Sequence, residues 1–127
     1  MKDNDNEIEK GYNMTIKLND QAYTVNLEDN DTVIDIVKML PLEQEFVRYA
    51  EHEYYTELPD KPAFDSVEKT SQIKAGHLYY WDGWNAFVIN YEDADISPYK
   101  VAHLGEVDGD ISSVLREMSG NAIIRVE

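Results

Sequence analysis

Hydrophobic and polar positions alternate on both sides of Asn19-Asp20 in the stretch "MTIKLNDQAYTVNL". Period-two alternation sends successive side chains to opposite faces of a strand, and the Asn-Asp pair is turn chemistry, so the stretch predicts a β-hairpin. Ile16 and Leu18 on one strand, with Tyr23, Val25 and Leu27 on the other, make up its expected buried face. In "NDTVIDIVKMLPL" the period changes to about 3.6. Val33, Ile36, Val37 and Leu40 fall on one helical stripe, Asn30 or Asp31 is placed to cap the first turn, and Pro41 stops the helix. Ordered structure is expected from about Met14, with residues 1–13 a disordered polar lead.

Downstream, "EFVRYAEHEYYTELP" reads as two strands around Glu51-His52-Glu53, a polar tip taken as a solvated acidic turn. Pro59 and Pro62 then open an irregular stretch to about Thr70, closed off by Gly76. Loops of that length are uncommon in compact domains and are more often functional or mobile than idle. The densest aromatic run follows, "YYWDGWNAFVINY" from Tyr79 to Tyr91. Asp82-Gly83 between two such runs signals a hairpin, because a type I′ turn needs positive φ at both central residues. Pairing Trp81 with Trp84 sets Tyr79 opposite Ala86 and Leu78 opposite Phe87. One face then carries Leu78, Phe87, Ile89 and Tyr91 and is expected to be core. The other carries Trp81, Trp84, Tyr79, Ala86, His77 and Val88, too apolar for water alone: a second layer covers it, or it lines a groove.

The last third reads strand, helix, strand. In "YKVAHLGEV", Val101 and His103 share one face and Ala102 and Leu104 the other. Ile111, Val114, Leu115 and Met118 repeat the helical stripe, with Asp108 or Asp110 as the cap and Gly120 suited to the exit. "NAIIRVE" closes the chain as a strand.

Composition narrows the classes of partner. The 127 residues suit one domain, and 43% hydrophobic content supports a core. No apolar run approaches the ~20 residues of a membrane helix, so no membrane insertion is expected. With 26 Asp and Glu against 11 Lys and Arg the net charge is -15. That field repels phosphate backbones and argues against nucleic acid. The absence of cysteine removes disulfides and thiolate chemistry and fits a reducing compartment. "MKDNDNEIEKGYN" has no apolar core of a signal peptide. A cytoplasmic location is favoured, although the same polar lead is what an export signal leaves once removed.

The ordered set of "MTIKLNDQAYTVNLEDNDTVIDIVKMLPL", Tyr55-Thr56-Glu57-Leu58-Pro59, Lys74-Ala75-Gly76-His77-Leu78-Tyr79-Tyr80 and "LGEVDGDISSVLREMSGNAIIRVE" resembles the small bacterial cyclophilin-like family over residues 14–127. The chain departs from it at His77, where the family more often shows Asp after the glycine. The resemblance implies a mainly β fold, a closed antiparallel barrel with two short helices covering its ends. It implies no settled reaction, and fold alone carries none.

Candidate chemistry is sparse. The family's larger namesakes isomerise prolyl bonds with an Arg beside an apolar pocket, but their Phe-His-Arg segment and Gln-Gly-Gly run are missing here. Of Arg48, Arg116 and Arg125, only Arg48 sits in a mid-chain strand, flanked by aromatics. His52, His77 and His103 match no ligand spacing, although a barrel could bring His77 and His103 together. The serines lie in no nucleophile elbow, no glycine loop cradles phosphate, and no cofactor is implied. The reading is a non-enzymatic binding module for a peptide or small apolar ligand. Its expected contacts are Trp81, Trp84, Tyr55 and Tyr99, with Arg48 as polar anchor. Prolyl isomerase activity and a protein–protein interaction scaffold are the alternatives.

Overall fold

At Asn19-Asp20 both residues take positive φ (53° and 66°), and the strands they join, β1 (Thr15–Leu18) and β2 (Gln21–Leu27), pair antiparallel with Leu18 opposite Gln21. The computed structural model describes residues 13–127, so the polar lead expected over 1–13 lies almost wholly outside the described residues. Helix α1 (Asp31–Val37) follows, capped by Asn30, whose Oδ1 accepts from the Val33 N–H at 2.9 Å. The amide of the same side chain donates to the His103 carbonyl at 3.2 Å and ties the helix start to the sheet. Next come β3 (Leu42–Tyr49), β4 (Glu53–Glu57), β5 (Lys69–Thr70), β6 (Gln72–Ile73), β7 (His77–Trp81), β8 (Ala86–Asn90), β9 (Ala94–Asp95) and β10 (Val101–Val107). Helix α2 (Ile111–Glu117) and β11 (Ala122–Val126) complete the described chain.

The sheet runs β2-β1-β11-β3-β4-β8-β7-β10, and β10 pairs back onto β2. That last pairing closes an eight-stranded antiparallel barrel and leaves none of these strands a free edge. Inward-facing Ile16, Leu18, Phe46, Tyr54, Leu78, Phe87, Ile89, Leu104 and Ile124 fill it. α1 leaves where β2 ends and α2 where the antiparallel β10 ends, so the helices close opposite ends. Val33 and Ile36 from α1, and Ile111 and Leu115 from α2, join the same core. Of the two expected caps for α2, Asp110 serves: its Oδ1 accepts from the Ser113 N–H at 3.1 Å.

Gly105 lets β2 approach β10 closely, beside the register shift between His103 and Gly105 in the pairing of β10 with β7. A Cβ there would stand 2.5 Å from the Asn26 carbonyl oxygen. The stretch from Pro59 to Glu68 holds no helix or strand, as expected. It leads into β5 and β6, and it is pinned under α1: Thr32 Oγ1 donates to the Ala63 carbonyl, and the Ala63 N–H donates to Asp35 at 2.8 Å.

A second apolar cluster sits outside the barrel. Ile73 on β6, with Ala94 and Ile96 on and after β9, packs over the outer face of β7, β8 and β10, burying Tyr79, Ala86, Val88 and Val101. Both outcomes expected for that face therefore occur. A small two-stranded layer covers one part, and the remainder is open.

Candidate functional site

The aromatic hairpin pairs Trp81 with Ala86, Tyr80 with Phe87, Tyr79 with Val88 and Leu78 with Ile89. This corrects the register expected from Asp82-Gly83, which set Trp81 against Trp84. The turn is a four-residue loop, a 3-10 turn over Asp82–Trp84 followed by Asn85 in the left-handed region (φ 50°, ψ 46°). Asn85 holds it there by accepting from the Tyr80 hydroxyl and donating to the Leu58 and Asp60 carbonyls. Each partner moves two residues along its strand, an even slip, so every side chain keeps its face.

The two indoles consequently stand side by side on the outer wall. Trp81 and Trp84 have ring centroids 5.0 Å apart at 67°. Tyr99 lies edge-on to Trp81 at 5.6 Å, and Tyr49 edge-on to Trp84 at 5.2 Å. A Cβ at Gly83 would collide with the Trp81 ring as it stands. Between these rings and the β6–β9 layer runs a groove of about 360 Å³. Val88, Tyr79 and Val101 line it from the barrel wall, Ile73 and Ile96 from the outer layer. Trp84, Tyr49 and Tyr99 remain 42%, 47% and 58% exposed, so its aromatic rim meets solvent.

The end of the groove away from the indoles is polar. Glu53 opens β4 opposite Asn90 of β8, and alternation puts it on the same outer face as Tyr55. It was expected in a solvated turn, yet only 15% of its side chain is exposed. Burial pushes its carboxyl up from the ordinary 4.5 to about 7. His52 Nδ1 lies 3.4 Å from both Glu53 Oε1 and Asn90 Oδ1. The groove thus combines apolar walls with one carboxyl group of shifted acidity, the composition of a small-molecule site.

Of the five residues expected from sequence, Trp81, Trp84 and Tyr99 come together in this groove. Tyr55 stands behind Trp84 at 5.2 Å and lines a shallower depression on the other side of that indole. Arg48 is elsewhere. Its guanidinium is directed to the end of α2, where Nη1 donates to the carbonyls of Leu115 (2.9 Å) and Met118 (2.6 Å) and to the Tyr54 hydroxyl (3.0 Å). It also lies over the Tyr91 ring at 4.8 Å. Arg48 bonds the carbonyls at a helix C-terminus and is not among the residues lining the groove. Sequence reasoning missed Tyr49, His52, Glu53, Asn90 and the two isoleucines of the outer layer. Alternation along β4 and β8 carried a usable signal for Glu53 and Asn90; nothing local marked Ile73 or Ile96.

The description "Cyclophilin-like family" fits a family model that matches residues 16–127. The chain belongs to the cyclophilin-like family. Its barrel is also similar to the solution structure of a hypothetical protein from Archaeoglobus fulgidus, at a TM-score of 0.66 and 18% identity. The match covers 91% of this chain and 93% of that one and speaks to fold alone. No curated protein matches the chain. No helix among the described residues of this cyclophilin-like barrel is long and apolar enough to cross a membrane.

The barrel does bring His77 and His103 together. His77 Nδ1 and His103 Nε2 are 2.8 Å apart, and the other nitrogen of His103 contacts Glu28. With Glu28 accepting from Nδ1–H, a neutral His103 offers Nε2 as acceptor, and His77 must donate from Nδ1. Burial first, then the neighbouring His103, lowers the His77 pKa. Among the described residues no group of three or more His, Asp or Glu is placed to hold a metal ion.

Proposed function

We propose that this cyclophilin-like barrel is a binding module whose outer-wall groove takes a small, largely apolar ligand, either free or as the side chain of a peptide. One observation carries the reading: a groove of about 360 Å³ with apolar walls, rimmed by three exposed aromatic rings. That volume lies in the range of small-molecule sites, and aromatic rings provide wide contact at small entropic cost. A free small molecule suits the volume better than an extended peptide. No observation favours the isomerase alternative, and the guanidinium it would need is engaged at α2.

Tryptophan emission during a fragment screen tests the proposal, since both Trp residues stand at the groove. The expected result is saturable quenching by aromatic fragments, abolished in Trp84→Ala and weakened in Tyr99→Ala, while both variants unfold within a few degrees of wild type. Emission that no fragment perturbs, or quenching that survives both substitutions, would rule the groove out.

A further inference from the structure

The groove's chemistry narrows its ligand beyond "small and apolar". Glu53 is the only carboxylate among its lining residues, and neither lysine nor arginine is among them. Once Glu53 ionises, an anionic ligand would meet its charge with no lysine or arginine in the groove to compensate it. The aromatic rings present negative faces, which attract cations. The surrounding chain, at a net charge of -15, raises the local concentration of cations and lowers that of anions. Glu53 itself is under-used. Its polar side-chain contact among the described residues is His52 Nδ1 at 3.4 Å, beyond a good hydrogen bond. A mostly buried carboxyl with only this long contact is a place where a ligand's N–H would be strongly held.

We infer that the ligand is an organic cation, a protonated amine on an apolar body, with the body against Trp81, Trp84 and Tyr99 and the ammonium directed to Glu53. This rests on the groove being a binding site at all. Along β8 the partners of Trp81 and Glu53 are Ala86 and Asn90, four residues apart, and the rim's Tyr49 pairs with Glu53 itself, so a ligand's charged end meets the carboxyl beside an aromatic ring. Burial holds the Glu53 carboxyl at about 7, so the empty site is largely protonated just below neutrality. An ammonium favours the ionised form, so binding releases a proton there and strengthens as pH rises. The titratable groups sharing the groove with Glu53 are His52 from the preceding turn, Tyr49 from β3, Tyr79 from β7 and Tyr99; β8 contributes the neutral Asn90. A protonated His52 would act in the same direction, so the Glu53 variant is needed to separate the two.

Titration calorimetry at pH 8 with three probes of one shape tests this: 4-phenylbutylamine, 4-phenylbutan-1-ol and 4-phenylbutyrate. The amine should bind at least about tenfold tighter than the alcohol, the scale of one charge-assisted contact. The carboxylate should bind more weakly than either. The amine's advantage should shrink several-fold between pH 8 and pH 6, and in Glu53→Gln it should fall to within about threefold at both pH values. The wild-type comparison stands even if that variant folds poorly. Equal binding of amine and alcohol, both abolished by Trp84→Ala, would overturn the cation while leaving the groove intact. Preference for the carboxylate would overturn it too. If none of the three binds at millimolar concentration, the groove itself falls, and the inference with it.

Discussion

Glu53→Gln should make the protein more stable at pH 8 and leave it nearly unchanged at pH 4. Glu53 is mostly buried at the polar end of the groove, where burial alone accounts for its raised pKa. Moving a carboxyl from 4.5 to about 7 corresponds to roughly 3 kcal/mol of preference for the neutral form in the folded state. Because the folded pKa is the higher one, this stability is fully present below 4.5 and is lost as pH rises to about 7, after which the loss levels off. Glutamine keeps the shape and never ionises, so it removes the pH-dependent part alone. Urea unfolding of both proteins at pH 4, 5, 6, 7 and 8 provides the comparison, with the other carboxylates cancelling in the difference. The difference should grow by about 3 kcal/mol in favour of the variant between pH 4 and pH 8, most of it before pH 7. A difference that stays flat with pH would mean that Glu53 is hydrated in solution, and the polar end of the groove would have to be redrawn.

Two further substitutions probe the scaffold. Arg48→Met keeps the aliphatic stem but removes the guanidinium's bonds to the carbonyls of Leu115 and Met118 and to the Tyr54 hydroxyl, and should cost roughly 2 kcal/mol in urea unfolding. Fragment binding at the groove should survive it; loss of binding with no loss of stability would return Arg48 to the site. Gly105→Ala forces a methyl group against the Asn26 carbonyl, with no flexible side chain to yield, and should destabilise by about 1–3 kcal/mol or more in thermal unfolding. A variant as stable as wild type would show that β2 does not approach β10 this closely.

The parts of the structure legible in sequence were those decided by period and parity. Alternation placed Ile16, Leu18, Tyr23, Val25 and Leu27 on the buried face of the first hairpin, and the 3.6-residue stripes placed both helices. The aromatic hairpin shows why register is harder than face. Asp82-Gly83 looked like a two-residue turn, but Asn85 supplies the left-handed residue, so the loop is longer and the pairing moves by two. Face survived because that slip is even. Glu53 was misjudged because its neighbours in sequence, Glu51 and His52, are polar, whereas its neighbours in space come from β8 and the outer layer. Arg48 likewise looked available beside Phe46 and Tyr49. Its partners are helix carbonyls some seventy residues away, and no local pattern encodes a contact at that separation.

The central claim is that the open part of the barrel's outer wall, between the indoles and Glu53, is where a ligand sits. With only two tryptophans in the chain, a ¹H–¹⁵N spectrum carries two indole signals, both reporting on this groove. Titrating 4-phenylbutylamine, the predicted result is saturable shifts of both indole signals together with the backbone amides of Glu53, Val88 and Asn90, while Arg48 and α2 stay unmoved. Saturable shifts confined to another face of the barrel, with both indole signals still, would contradict it.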